Sequence, residues 1–595
     1  MGIRPQTRPP LIDLSINPPE ENPLPGDLPF LDGLREICYI YSSQPPGPVP
    51  REAEEKEAFS MEFRIVNGTL ARYLGRGGIV TIPDGVRQIG PRAFMGCEGL
   101  FSVRFPEGVT SVGPMAFYDC VNLQQLELPE SLLEIGENAF TGCALREARL
   151  PGGLREIGPL AFSDCRQLRA VLLPDGLRSI GDGAFSGCAL LQALTLPAGL
   201  ETLGRSPFEG CVNLQLRVSP RSRRFSAVDG VLYNRTLTEL LFYPCGRKGA
   251  VFTVPPTVQR IGPEAFIGST GLAGIEVPDT VESIGEAAFS GCTGLTSLTL
   301  HDSVREIGSW AFSGCIGLTS VRLPAHLDRI PSAAFRDCRS VTALAIPEGV
   351  TEIGDRAFAR CVKLCSASFP EGLRSIGSAA FQNCRELIFA ALPASVVSVG
   401  SRAFEGCTDL SAVQLPDGLT EIPERAFAGC TRLRAFTAPP SLRKIGPGAF
   451  AGCAGMRRAV LPERLERLEA DVFSGCTGLT GVRLPGTLVS IGSRAFRDCT
   501  GIRGLHFPAA LRRVGEEAFA GCTALETVTA EKGLREIAGG AFAGCTRLSA
   551  VRLPRSVTEI AIDAFRRCPR LQIEAPVGSA AAIYDRKRRA HSVDP

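Results

Sequence analysis

Phenylalanine returns along this chain at a fixed interval. It stands at 94, 117, 140, 162, 185 and 208, then at 266, 289, 312, 335, 358, 381, 404, 427, 450, 473, 496, 519, 542 and 565, almost always 23 residues from the last. A unit that short cannot close a core of its own. It buries its apolar face against neighbouring copies, so a fixed short period implies a stack of coils. Length alone, 595 residues, would suggest about four domains; the repeat overrides that prior.

One unit shows what each copy encodes. After Phe289 come Cys292, Leu295, Leu298 and Leu300. Leu298 and Leu300 flank Thr299, the alternation of a strand. Most copies then carry a proline (Pro324, Pro347, Pro370, Pro393, Pro416), which ends the strand because it has no N–H for a ladder. Val304 and Ile307-Gly308 form a second inward group, and Ala311-Phe312 closes the coil. The pattern predicts parallel strands about 4.8 Å apart and about twenty coils spanning on the order of 95 Å. Phe289, Phe312, Phe335, Phe358 and Phe381 form one structural column, and Cys292, Cys315, Cys338, Cys361 and Cys384 another. Fifteen of the twenty copies place Gly after the Ile, whereas Pro331, Pro423, Glu469, Ala538 and Ala561 replace it. Proline fixes φ near −65°, so this corner does not require positive φ; glycine serves either close approach between coils or loop freedom.

The run Leu-x-x-Val-x-Leu-Pro-x-x-Leu-x-x-Ile-Gly-x-x-Ala-Phe-x-x-Cys, in register over roughly 61–575, resembles the BspA-type leucine-rich repeat, a short bacterial and protist variety. The resemblance implies a right-handed solenoid with a parallel sheet and short turns or helical segments, and a binding or adhesive role. Common leucine-rich repeats place Asn or Cys after the strand; here Cys precedes it. Members of the family are often surface proteins with signal peptides. The N-terminus here, Met-Gly-Ile-Arg-Pro-Gln-Thr-Arg-Pro-Pro, lacks the apolar core segment of one.

Nineteen of the 22 cysteines share one repeat position; Cys38, Cys245 and Cys365 lie elsewhere, and Ser269 fills the position in the remaining coil. Three readings compete. Metal binding needs clustered ligands, which a 23-residue recurrence and four histidines do not provide. Disulfides between stacked coils are within reach, but neighbours in a column point the same way and nineteen cannot all pair. The favoured reading is a buried column of free thiols, suited to a reducing compartment.

In chain order, residues 1–60 carry twelve prolines in the first fifty and read as a disordered, Pro-rich and charged segment. The recognisable cap begins at Met61, which makes Met61 an alternative start. Residues 61–82 read as an N-terminal cap, with Asn67-Gly68 as a hairpin turn between Phe63–Val66 and Leu70–Tyr73. A first array fills 83–214. Residues 215–250 form a β-hairpin insertion, with strands near Gly230–Tyr233 and Glu239–Phe242, read as a patch in the register rather than a contact element. A second array fills 251–575, and 576–595 form a C-terminal cap, with a short helix within Gly578–Arg589, and a basic tail.

Net charge is +2, which gives no global pull toward nucleic acid. No run of eighteen apolar residues exists, so no membrane span is expected. There is no Ser-His-Asp grouping and no phosphate loop; the chain is expected to be no enzyme, without cofactor or metal, and monomeric. The expected partner is a protein. The expected contact is the strand face between about 297 and 390, where Ser297, Ser320 and Ser366 are small, Arg322 supplies a donor fork, and Phe389 is the one large outward aromatic. The competing reading has Phe389 against the next coil and Arg322 solvated. Two functions remain: an interaction scaffold in the cytoplasm, or a secreted or cell-surface adhesin.

Overall fold

A computed structural model describes residues 58–60, 62–247 and 249–591. The chain divides into two units, Met1–Lys56 and Glu57–Pro595. The first, with Cys38 and most of the Pro-rich segment, lies outside the described residues, as do Met61 and the end of the basic tail.

Each coil of the second unit carries two short strands. The first, such as Ser297–Thr299, pairs in parallel with its counterpart one coil on: Ser297 opposite Ser320, Leu298 opposite Val321, Thr299 opposite Arg322. The second has two residues, such as Glu306–Ile307, and pairs with Ser283–Ile284. Gly308 is thus the corner after the second strand rather than part of it. The remainder of the coil is turn, and its amides also bond to the neighbouring coil: Gly308 N–H donates to Ile284 O (2.8 Å), Phe289 N–H to Ala311 O (2.7 Å) and Gly291 N–H to Ser313 O (2.8 Å). Backbone groups satisfied between coils have no need of helix. Among the described residues the one α-helix is Ala580–His591, whose Ser579 Oγ accepts from Ala582 N–H. It lies over the last coil, with Ala581 fully buried, Tyr584 6.0 Å from Phe565 and Arg588 donating to Leu571 O.

The Phe column is a stack of near-parallel rings. Phe289–Phe312 are 5.3 Å apart at 6°, and Phe381–Phe404 5.4 Å apart at 3°. All are buried.

The glycine after each Ile has no positive φ. A Cβ added at Gly308 would collide with the backbone of Gly285 and Glu286, so close approach between coils is its purpose. The left-handed conformation falls elsewhere. Two residues before each Phe the backbone turns left-handed almost regardless of identity: Arg92 (φ 59°), Leu160 (54°), Ala287 (51°), Trp310 (62°) and Arg494 (55°). A second such corner lies two residues after each Phe and usually holds glycine, as at Gly291 (72°) and Gly314 (73°). An L-residue in this region costs about 1–2 kcal/mol. Ala287→Gly should therefore stabilise the fold by about 0.5–1 kcal/mol after the added unfolded-state entropy is deducted, read as a higher denaturation midpoint at unchanged m-value.

The stack is interrupted once. Phe208 meets Phe242 edge-on (5.5 Å, 69°), and the next residue, Tyr243, stacks on Phe266 (4.8 Å, 27°). The buried apolar residues form two clusters that part here, Phe242 in one and Tyr243 in the other. The insertion has three strands rather than two: Phe225–Val228, Val231–Asn234 and Glu239–Phe242, joined antiparallel, with the last pairing in parallel with Arg260–Ile261. The third strand, Phe225–Val228, follows the basic run at 221–224 and turns at Asp229-Gly230, both left-handed (50° and 80°).

The entry to the first array is built alike. Ala58–Ser60 pairs antiparallel with Phe63–Val66, which turns at Asn67-Gly68 (49° and 74°) into Thr69–Tyr73, and that strand pairs in parallel with Gln88–Ile89. Tyr73 stacks on Phe94 (4.9 Å, 28°) and donates its N–H to Ala93 O (2.8 Å); Tyr243 donates to Ala265 O (2.7 Å). The insertion thus repeats the geometry that opens the first array.

Candidate interaction face

Because side chains alternate across a strand, the first and third residues of each first strand face out while the middle one enters the core. Ser297, Ser320, Ser366 and Phe389 all occupy the first of these positions, and Arg322 the third. Phe389 is 47% exposed, and its neighbour Ile388 54%. Arg322 lies 4.0 Å from Asp302 with its side chain 65% exposed. So loose a surface pair contributes little, and the guanidinium keeps most of its donors.

From Ala343 to Thr437 the outward positions are Ala343, Ala345, Ser366, Ser368, Phe389, Ala391, Ala412, Gln414, Ala435 and Thr437, all exposed and uncharged. Arg322 bounds this run on one side and Arg458 on the other. Five coils of about 4.8 Å make it roughly 24 Å long. It extends past residue 390, because the strands at Ala412 and Ala435 continue the same neutral surface. Elsewhere charged pairs appear on or beside the strands: Arg104 with Glu127 (3.5 Å), Arg483 with Glu463 (3.6 Å) and Arg552 with Glu574 (2.6 Å).

Beneath this face the two ladders meet. From Cys120 onward the ladder thiols donate to the carbonyl of the Phe in the preceding coil: Cys292 to Phe266 O at 3.1 Å, and Cys315, Cys338, Cys361 and Cys384 to Phe289, Phe312, Phe335 and Phe358 at 3.2 Å. All 21 described cysteines are free. Burial pushes the thiols of Cys165, Cys292, Cys361 and Cys407 up to about 12.

Two hollows lie elsewhere. One, about 550 Å³, has a glycine floor of Gly406, Gly429 and Gly452 beside Glu405, which pairs with Arg425 at 2.6 Å. The other, about 320 Å³, sits where the arrays join, lined by Arg205, Ser206, Phe225 and Glu264. There Ser206 donates to Glu264 at 2.5 Å, and burial with the nearby Glu264 carboxylate pushes Glu209 up. Neither hollow is lined by a histidine. Among the described residues no three His, Cys, Asp or Glu side chains gather as metal ligands, and no helix is long and apolar enough to cross a membrane.

Parallel coils of this size, with a leucine-lined first strand, define a leucine-rich-repeat solenoid. The sequence profile of the BspA type leucine rich repeat region matches residues 79–144 and then overlapping spans from 259–388 to 449–572, six copies in all. The chain belongs to the BspA-type leucine-rich repeat family. Similar solved structures include a leucine-rich repeat protein from Eubacterium ventriosum (25% identity, TM-score 0.47, covering 58% of this chain and 93% of that one) and a leucine rich cell surface protein from Faecalibacterium prausnitzii (26%, 0.42, 61% and 95%). Another is a leucine-rich repeat protein from Bacteroides ovatus (21%, 0.32, 88% and 99%). A comparison with curated proteins finds no match.

Proposed function

We propose that the chain is a non-enzymatic protein-interaction scaffold and that a protein partner rests on the strand face around Phe389. One observation carries the reading: an outward aromatic, half exposed, stands in the middle of a neutral small-residue surface with an arginine at each end. Partners favour aromatic and Arg anchors, and small neighbours let a partner reach the backbone. The buried free thiols favour a reducing compartment and so a cytoplasmic scaffold; the adhesin reading places the same chain at the cell surface, and cell fractionation separates the two.

The test of the face is co-purification with the wild-type chain beside Arg322→Ala plus Phe389→Ala, after matched thermal melts show that both fold. Loss of two exposed anchors should weaken capture of a specific partner by about tenfold or more. The same partners recovered at the same strength would place binding elsewhere.

A further inference from the structure

We propose a second contact site on the turns of these coils, built by Trp310, Arg336, Arg339 and Arg360 around Asp337, that takes an acidic stretch of a partner polypeptide. The left-handed corner two residues after Phe holds glycine in most coils, but Asp337 (φ 59°) and Arg360 (φ 64°) occupy it in successive coils. Local backbone strain tolerated where glycine would relieve it points to a use for the side chains.

Those side chains converge. The Asp337 carboxylate lies 3.0 Å from Arg339, 3.3 Å from Arg360 and 3.5 Å from Arg336. Arg336 in turn lies over the Trp310 ring, 5.4 Å from its centroid. One carboxylate thus orients three guanidinium groups. At the other acidic corners the charges are nearer balance: Asp164 meets Arg166, and Arg497 is shared between Asp498 and Glu517. Asp337 is nearly covered, whereas Arg339 and Arg360 are 52% and 36% exposed. Arg339 spends Nε and Nη2 on Asp337, which leaves its Nη1 donors for a ligand, and planar guanidinium donors suit carboxylates. The corresponding positions of the flanking coils, Ser313-Gly314 on one side and Gln382-Asn383 on the other, are uncharged. Trp310, partly exposed, supplies an apolar plane beside the charges. Arg and Trp together are the residues on which protein contacts concentrate.

Trp310 is the sole tryptophan of the chain, so its fluorescence reports this site alone. The full chain is titrated with poly-L-glutamate at about 50 mM salt, where screening is weak. A saturable change is expected, weakened by about tenfold or more in Arg339→Gln plus Arg360→Gln and by raising salt. Arg339→Lys plus Arg360→Lys keeps the charge and the Asp337 pairing but not the fork, and should fall between. No response, an unaltered response in the Gln variant with its melting temperature preserved, or an equal response to inorganic phosphate or a polyribonucleotide would overturn the proposal.

Discussion

Phe358→Ala should destabilise the second array by about 3–5 kcal/mol, the cost of a large-to-small change in a packed core. Phe358 is buried and contacts a ring on each side, Phe335 at 5.5 Å and Phe381 at 5.3 Å. Its amide donates to Ala380 O and its carbonyl accepts the Cys384 thiol. Coupling in a stack runs between neighbours, so the loss should open nearby coils before it opens distant ones. Hydrogen exchange should rise first in the coils of Phe335 and Phe381 and leave the first array, whose core cluster is separate, at wild-type protection. Uniform acceleration along the chain, or none in the adjoining coils, would contradict the nearest-neighbour account.

The thiol ladder gives the second large effect. A thiol raised from 9.0 to about 12, as for Cys476 and Cys522, holds about a thousandfold less thiolate at neutral pH, and thiolate is the reactive form. Native alkylation should be fast at partly exposed Cys365 and should reach the buried column only on unfolding. The same shift makes the fold sensitive to alkali. The folded state holds the proton more tightly than the unfolded chain. Stability is therefore fully present below about pH 9 and falls as pH rises from there toward 12, by up to about 1.4 kcal/mol per pH unit for each such thiol. Denaturation midpoints should hold level up to about pH 9 and fall steeply from there to about pH 11, and a flat profile across that range would refute the buried-thiol account.

What the sequence reveals and what it conceals follow from whether a position constrains side chain or backbone. The Phe and Cys columns are legible because each needs one shape in one packed slot. The glycine after Ile is legible too, because its backbone meets the coil before it. The left-handed corner at Arg92, Leu160 and Trp310 leaves no trace, since the hydrogen bonds of adjacent coils impose the φ whatever the side chain. On the face, Phe389 and Arg322 can be placed by counting from the nearest Phe. The length of the neutral run is harder to see, because it depends on what Ala412 and Ala435 lack. The Asp337 cluster spans three coils, and its sequence signals are the sole tryptophan at 310 and the missing glycine at 337 and 360.

The hairpin at 225–243 copies the strands that lead into the first array down to the tyrosine that receives the first ring. A protein with two such openings is two cassettes in tandem, each with its own starter. Whole 23-residue units can then be gained or lost inside either cassette without disturbing the other, since neither takes its register from its neighbour's length. The spacing between the junction and the Phe389 face would be the quantity that such changes tune.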